Sequence, residues 1–171
     1  MTANDSNPIC LECGLCCNGV IFGDLQLRPG DDLARLQKLL GQGSARLTGK
    51  SKLPQPCVAL DGCQCRIYEG RPQYCREFDC LLLKNVKDGK IVLPAALGTI
   101  RTARQRAERV RHLLRQLGDA DETTALGVRF RRIKKRAEAG ELDDEETDLF
   151  GELTLAVHDL NVIIGSSFFF G

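Results

Sequence analysis

The chain has 171 residues, of which 43% are hydrophobic and 27% charged, a composition typical of globular domains. Its length predicts a single domain over residues 1–171. The formal net charge of +1 argues against general attraction to nucleic acid or to an anionic membrane surface. No stretch has the roughly 18 apolar residues of a membrane span, and the first residues lack the features of a signal peptide. We therefore expect a cytoplasmic protein without a membrane partner.

The cysteines are concentrated in the first half of the chain, and none of the nine follows position 80. The first group forms the motif CxxCxxCC: Cys10, Cys13, Cys16 and Cys17. The second group follows later in the chain: Cys57, Cys63, Cys65, Cys75 and Cys80. In a reducing compartment, such a set favours metal binding over disulfides. Residues 9–80 are therefore predicted to be a cysteine-cluster metal-binding region.

The spacing within the first group is typical of metal ligands. A CxxC pair allows two thiolates to reach one ion while the backbone curls around it. The run CxxCxxC also begins the bacterial ferredoxin pattern, but here Cys17 follows Cys16 immediately. Adjacent side chains diverge, so two metal sites can meet between these two residues. Zinc, iron and a [4Fe-4S] cluster all accept four thiolates, and the spacing does not choose among them.

The segment between the two cysteine groups predicts a hairpin, a helix and a loop. Residues 20–22 and 25–27 are predicted to pair as short strands. A helix is predicted after Asp32, and its apolar face is formed by leucines at helical spacing: Leu33, Leu36, Leu39 and Leu40. Residues 42–55 have no periodicity and are predicted to be a connecting loop.

The second cysteine group is predicted to lie on a hairpin and at the start of a helix. Residues 57–60 and 65–68 flank an Asp-Gly turn dipeptide and are predicted to pair as strands. Pro72 is expected at the first helical position, so Cys75 falls in the first or second turn. Because a helix N-terminus favours a thiolate, we expect the pKa of Cys75 to be lowered.

Residues 94–165 are predicted to be a helical region of about three helices. Apolar residues recur at helical spacing in three segments: 97–117, 126–137 and 149–163. Asp143 and Glu146 have the spacing of a capping box at the start of the third helix. The predicted fold class is mainly α, with an irregular, metal-stapled, cysteine-rich N-terminal half containing short β-hairpins, or at most a small α+β fold.

Charge is distributed unevenly along the helical region. Residues 101–136 carry 12 basic and 4 acidic groups, whereas residues 137–171 carry no basic and 9 acidic groups. The basic residues from Arg129 to Arg136 are predicted to form a helix exterior, and the basic helix 123–136 suggests a nucleic-acid or protein interaction module. However, aromatic residues do not interleave with the basic ones to stack bases, and the acidic third helix can neutralise this face. We therefore expect no nucleic-acid partner.

Taken together, the two cysteine groups resemble the CxxCxxCC, or YkgJ-type, cysteine-cluster family of zinc- or iron-chelating proteins. The resemblance rests on these residues: Cys10, Cys13, Cys16, Cys17, Pro56-Cys57, Leu60, Cys65-Arg66-Ile67-Tyr68-Glu69, Arg71-Pro72, Cys75-Arg76, Phe78 and Cys80. It implies chelation of zinc or iron ions, or of a [4Fe-4S] cluster, by eight cysteines: Cys10, Cys13, Cys16, Cys17, Cys57, Cys65, Cys75 and Cys80. Cys63 stands outside the pattern as a ninth thiol.

An alternative function follows from the same resemblance. Flagellin lysine N-methylases look like larger relatives with a similar cysteine set, in which an iron-sulfur cluster is implicated in methyl transfer from S-adenosylmethionine. The alternative is therefore an iron-sulfur-dependent enzyme, either a methyltransferase or a redox protein. This chain lacks a glycine-rich nucleotide-binding motif, and its two histidines, His112 and His158, are predicted to be half-buried or on helix surfaces. No catalytic residue is predicted, and the expected partners are metal ions and an unidentified protein.

Side chains near the cysteines are expected to support a metal centre. Arg71 and Arg76 can offer hydrogen-bond donors to anionic metal-thiolate groups, and Tyr68 and Phe78 can shield them from water. Ordinary packing and solvation of the same four side chains is the simpler alternative.

Overall fold

The computed structural model describes residues 8–40 and 52–169, which are predominantly helical with two small antiparallel sheets. The helices are Pro8–Cys13 (α1), Leu33–Leu40 (α2), Gln73–Glu77 (α3), Leu81–Lys87 (α4), Leu93–Gln116 (α5), Leu126–Glu138 (α6) and Asp144–Ile164 (α7). The strands are Asp24–Gln26 (β1), Lys52–Pro54 (β2), Leu60–Asp61 (β3) and Gln64–Cys65 (β4). The predicted fold class, mainly α or at most a small α+β fold, is confirmed.

The chain divides into two compact units. The first contains the described residues up to Asp79 together with Thr123–Ala125, and the second contains Cys80–Glu122 and the described residues from Leu126 onward. Cys80 is therefore the only cysteine of the second unit, since every cysteine lies within the described residues. The expectation of a single domain stays a prediction. Among residues 8–40 and 52–169, no helix combines the length and apolar character that crossing a membrane requires.

The first unit is organised around a small apolar core. Its buried members come from the β1–β2 sheet, α2 and adjoining loops: Leu25, Leu27, Leu36, Leu53, Ala59 and Ile67. β1 and β2 pair antiparallel, which sets Leu25 opposite Leu53. Full burial of a leucine stabilises a fold by roughly 1.5–3 kcal/mol, so six side chains supply limited stability against the entropy of ordering the unit.

The strand pairing corrects two predictions. Residues 20–22 and 25–27 do not form a local hairpin, because β1 pairs with β2. β2 lies inside the segment 42–55, which was predicted to be a loop; the rest of that segment up to residue 51 is outside the described residues. Each strand has one buried leucine at its centre, and the pairing of β1 with β2 places these two leucines opposite each other.

Of the other predictions for the first unit, the second hairpin and the start of α2 are confirmed in outline, whereas the position of Pro72 is wrong by one residue and Leu33 of the predicted apolar face is exposed. The hairpin around the second cysteine group exists as β3 and β4, with Asp61 paired to Gln64, so its turn is one residue later than expected. Gly62 takes φ +60, a conformation that favours glycine in this turn. α2 begins after Asp32, whose side chain accepts a hydrogen bond from the N–H of Arg35 at 2.9 Å. Pro72 lies just before α3 rather than at its first position.

The second unit contains the three helices that periodicity predicts. α5 packs mainly on α7. Its buried face combines alanines with larger aliphatic residues: Ala96, Ile100, Ala103, Ala107, Val110, Leu113 and Leu114. The buried face of α7 is also at helical spacing: Leu153, Ala156, Leu160 and Ile164. A π-helical turn, Gly165–Phe169, continues α7 and buries Phe168, while Phe169 is exposed. His112 and His158 are exposed, as predicted for helix surfaces.

Arg129 corrects the prediction that the basic residues of the second helix all face outward. Its side chain is only 1% exposed, and its Nε–H donates to Oδ1 of Asp119 at 2.9 Å. Arg129 follows Leu126 by one helical turn, so it lies on the buried face and requires a buried partner. The expected neutralisation by the acidic helix is confirmed at Arg136, which pairs with Glu146 at 3.2 Å.

The predicted capping box of α7 is also confirmed, and its removal is expected to destabilise the second unit. The N–H of Glu146 donates to Oδ1 of Asp143 at 2.8 Å, and the N–H of Asp143 donates to Oε2 of Glu146 at 3.3 Å. Asp143→Ala removes the acceptor for the first bond and should lower the free energy of unfolding by about 1 kcal/mol in urea titrations. Glu141→Ala, an exposed change before the helix, is the control. Equal stability of both variants would contradict the role of the cap.

Candidate metal centre

Backbone pairing brings three cysteines of the first unit together. The N–H of Cys57 donates to the carbonyl of Cys17 at 2.7 Å, which joins the end of the first motif to the start of the second group. Cys65 pairs across the hairpin with Leu60, whose own N–H donates to the carbonyl of Cys57 at 3.0 Å. Two segments distant in sequence therefore meet at these thiols.

Helix α3 adds a fourth cysteine to this group. The N–H of Gln73, its first residue, donates to Oδ1 of Asp31 at 2.8 Å, so the start of α3 is held beside the start of α2. Cys75 lies in the same helical turn and, like Cys57 and Cys65, is half-buried against the apolar core of the first unit. The core thus supports three of the four thiols directly.

The thiol pKa values show that these groups act on one another. Burial, followed by the charges of Cys57, Cys75, Cys65 and, last, Cys10, raises the pKa of Cys17 to about 12. Burial, followed by Cys57 and Cys65, raises the pKa of Cys75 to about 12. Burial also raises the pKa of Cys57, and Cys65 contributes in the same direction. We call Cys17, Cys57, Cys65 and Cys75 the thiol tetrad.

The pKa of Cys75 corrects a prediction. Its position at the start of a helix was expected to lower the pKa, but burial raises it instead. α3 has five residues, and the partial charge at the end of so short a helix is small compared with the cost of burying a thiolate. Arg71 lowers the pKa of Cys75 but does not reverse the effect of burial.

Two arginines place positive charge beside the tetrad. Arg71 lowers the pKa of Cys75, and Arg66 lowers the pKa of Cys57. The guanidinium of Arg71 lies over the ring of Tyr68 at 3.6 Å from its centroid, and its Nε–H donates to the Tyr68 carbonyl at 2.9 Å. These contacts fix one of the predicted donors near the thiols. The other predicted donor, Arg76, is exposed, whereas Arg66 was not predicted in this role.

An aromatic cluster adjoins the tetrad along the chain. Tyr74 and Phe78 flank Cys75 in sequence, and their rings stack at 5.8 Å between centroids. Phe22 contacts both rings edge-on, at 6.1 Å and 5.1 Å. Phe78 was expected to shield the centre, whereas Phe22 was missed because it is distant in sequence and its own segment was predicted as a strand.

The first three cysteines lie on α1 and in the turn that follows it. Cys10 is exposed, Cys13 is buried and Cys16 is half-buried. Gly14 lies after α1 with φ +64, a conformation that favours glycine. A Cβ atom placed on Gly14 would lie 3.4 Å from the Cα and 3.6 Å from the Sγ of Cys63. The ninth thiol therefore lies against the loop that joins Cys13 to Cys16.

The predicted ligands therefore fall into three places. Four form the tetrad, Cys10, Cys13 and Cys16 lie together along the N-terminal segment, and Cys80 precedes α4 in the second unit. None of the nine cysteines forms a disulfide. Within residues 8–40 and 52–169, no three His, Cys, Asp or Glu side chains already have the spacing of ligands around one ion.

These features define the class as a cysteine-rich metal-binding domain. Residues 9–94, half of the chain, match the CxxCxxCC family model, which is described as "Putative zinc- or iron-chelating domain". The chain belongs to this family, so the predicted resemblance is confirmed. The family description supports metal ions as binding partners, without specifying the ion. No curated protein and no solved structure matches the chain.

Proposed function

We propose that the protein chelates zinc or iron and that the thiol tetrad holds one of its metals. The observation that carries this proposal is that Cys57, Cys65 and Cys75 pack on one apolar core, while the backbone of Cys57 is hydrogen-bonded to that of Cys17. Four thiolates satisfy tetrahedral zinc and also a [4Fe-4S] cluster. Burial disfavours the thiolate form of Cys17, Cys57 and Cys75, whereas a metal cation compensates thiolate charge, so the donor set fits a metal.

Metal binding at the tetrad requires the thiols to close on the ion. Zinc-sulfur bonds are about 2.3 Å long, and the described thiols do not yet have that spacing. Rotation about χ1 moves a cysteine sulfur without moving its backbone. The backbone contacts between Cys17, Cys57 and Cys65 would therefore be kept while the sulfurs converge.

The remaining cysteines supply a second group of ligands under this proposal. Cys10, Cys13 and Cys16 have the CxxCxxC spacing that suits a metal or an iron-sulfur cluster, and Cys80 is the eighth cysteine of the family pattern. The thiols then divide between two sites, which hold two ions, or one cluster and one ion. Cys16 and Cys17 mark the boundary between them.

Elemental analysis of anaerobically purified protein tests the proposal directly. We expect a stoichiometric amount of zinc or iron. A thiolate-to-iron absorption band would identify iron, and a colourless protein with stoichiometric zinc would exclude the iron version. Absence of metal in protein purified anaerobically, and after exposure to either metal, would contradict the proposed function.

A further inference from the structure

The position of Cys63 suggests a role that the family pattern does not assign. It lies in the turn of the β3–β4 hairpin, and its Sγ is 3.6 Å from the place that a Cβ atom of Gly14 would occupy. Gly14 is the residue after Cys13 and stands two positions before Cys16. The hairpin thus places the thiol of Cys63 beside the loop between two predicted ligands, Cys13 and Cys16.

The N-terminal segment arranges its own thiols around this loop. Cys10 and Cys13 are three positions apart on α1, so their side chains share one face of the helix. The chain turns at Gly14, where the N–H of Cys17 donates to the Gly14 carbonyl at 3.0 Å. Cys16 therefore belongs to the same turn that Cys63 contacts.

We propose that Cys63 completes a second four-thiolate site with Cys10, Cys13 and Cys16, which binds zinc or iron within the first unit. This inference rests on the proposed function and changes one ligand of the family pattern. With the tetrad set aside, the eighth cysteine of the family pattern is Cys80, which belongs to the second unit, whereas Cys63 lies beside Gly14 within the first unit.

Cobalt titration of the reduced, metal-free full-length chain tests the assignment. Thiolate-to-cobalt charge-transfer absorption counts the sites, because Co²⁺ accepts the same tetrahedral thiolate ligands as zinc. We expect two equivalents for the wild-type protein and one for Cys63→Ser. Gln64→Ser, an exposed change in the same hairpin, and Cys80→Ser should each retain two. Two equivalents for Cys63→Ser, or only one for Cys80→Ser, would overturn the inference.

A second measurement does not depend on the folding of a variant. Alkylation of the wild-type chain followed by peptide mass spectrometry should modify Cys63 in the metal-free protein and leave it protected after cobalt is added. In Cys17→Ser, which removes a ligand of the tetrad, this protection should remain. Equal alkylation of Cys63 with and without cobalt would refute its role as a ligand.

The outcomes separate this inference from the proposed function. A wild-type chain that binds no cobalt would contradict both. A chain that binds one equivalent, lost in Cys17→Ser, would keep the tetrad as a metal site and refute the second site. Retention of both equivalents in Cys63→Ser would refute the role of Cys63 alone.

Discussion

Removal of metal from the reduced protein is expected to unfold the first unit while the second unit keeps its helices. The apolar cluster beside the tetrad has six buried side chains, and the four described strands of the first unit have only two or three residues each. Structural zinc contributes about 10–16 kcal/mol of apparent binding free energy in zinc-finger peptides, which is comparable to the gross gain from burying such a core before the entropy of ordering the unit is subtracted. The long helices α5 and α7 instead bury extended apolar faces against each other.

Hydrogen exchange with mass spectrometry measures this difference by region. After chelation, we expect peptides from residues 52–79 to lose protection by at least an order of magnitude, while those from residues 93–116 and 144–164 keep it. Far-UV circular dichroism should retain most of its helical signal. Cys57→Ser should reproduce the effect of chelation, and Gln64→Ser should not. Unchanged protection of residues 52–79 after confirmed metal removal would show that the first unit is stable without metal.

Asp119→Ala is expected to produce the largest loss of stability in the second unit. Its carboxylate is the acceptor for the Nε–H of Arg129, whose side chain is 1% exposed, and its backbone carbonyl accepts from the same guanidinium. Loss of one partner leaves a buried charge without full compensation, which typically costs about 3–5 kcal/mol. Glu122 stays at 3.2 Å from Arg129, so we expect a value near the lower limit.

Urea unfolding of metal-loaded protein measures this effect against a matched control. Asp121→Ala removes an acidic partner of the exposed Arg132 at 3.0 Å and should cost at most about 1 kcal/mol. Combining Asp119→Ala with Arg129→Met should recover part of the lost stability, because the double variant buries no unpaired charge. If Asp119→Ala and Asp121→Ala lowered the free energy of unfolding by the same amount, the buried pair of Asp119 and Arg129 would not stabilise the second unit more than an exposed ion pair does.

Repetition in the sequence explains which parts of the fold were predictable. The segments of α5, α6 and α7 each repeat an apolar position every three or four residues over several turns. Each turn therefore gives the same evidence for a helix with one buried face. The pairing of β1 with β2 is different, because each strand has three residues and the partners are distant in sequence. Arg129 was missed because its partner, Asp119, precedes α6 and shares no periodic pattern with it.

The sequence predicts which thiols can serve as ligands at the candidate metal centre, and this stays a prediction; the sequence does not predict which of these thiols lie close together. Cysteine spacing identifies thiols that can bind metal, and it indicated a boundary between Cys16 and Cys17. The membership of the tetrad depends instead on the backbone bond between Cys17 and Cys57 and on the hairpin register of Cys65. The predicted direction of the pKa shift of Cys75 was also wrong, because a sequence indicates the position of a residue in a helix but not its burial.

A metal held by the proposed tetrad would cross-link distant parts of the chain, because Cys57, whose N–H donates to the carbonyl of Cys17, and Cys17 would both bind it. The two residues are forty positions apart (57 − 17), so an ion that binds both closes a loop of that length. A cross-link that closes a long loop restricts the unfolded chain most strongly. The entropic cost of closing the loop grows only slowly with its length, by about 0.6 kcal/mol for each doubling. The intervening sequence can therefore change in length at little thermodynamic cost, while the thiols at its two ends must stay.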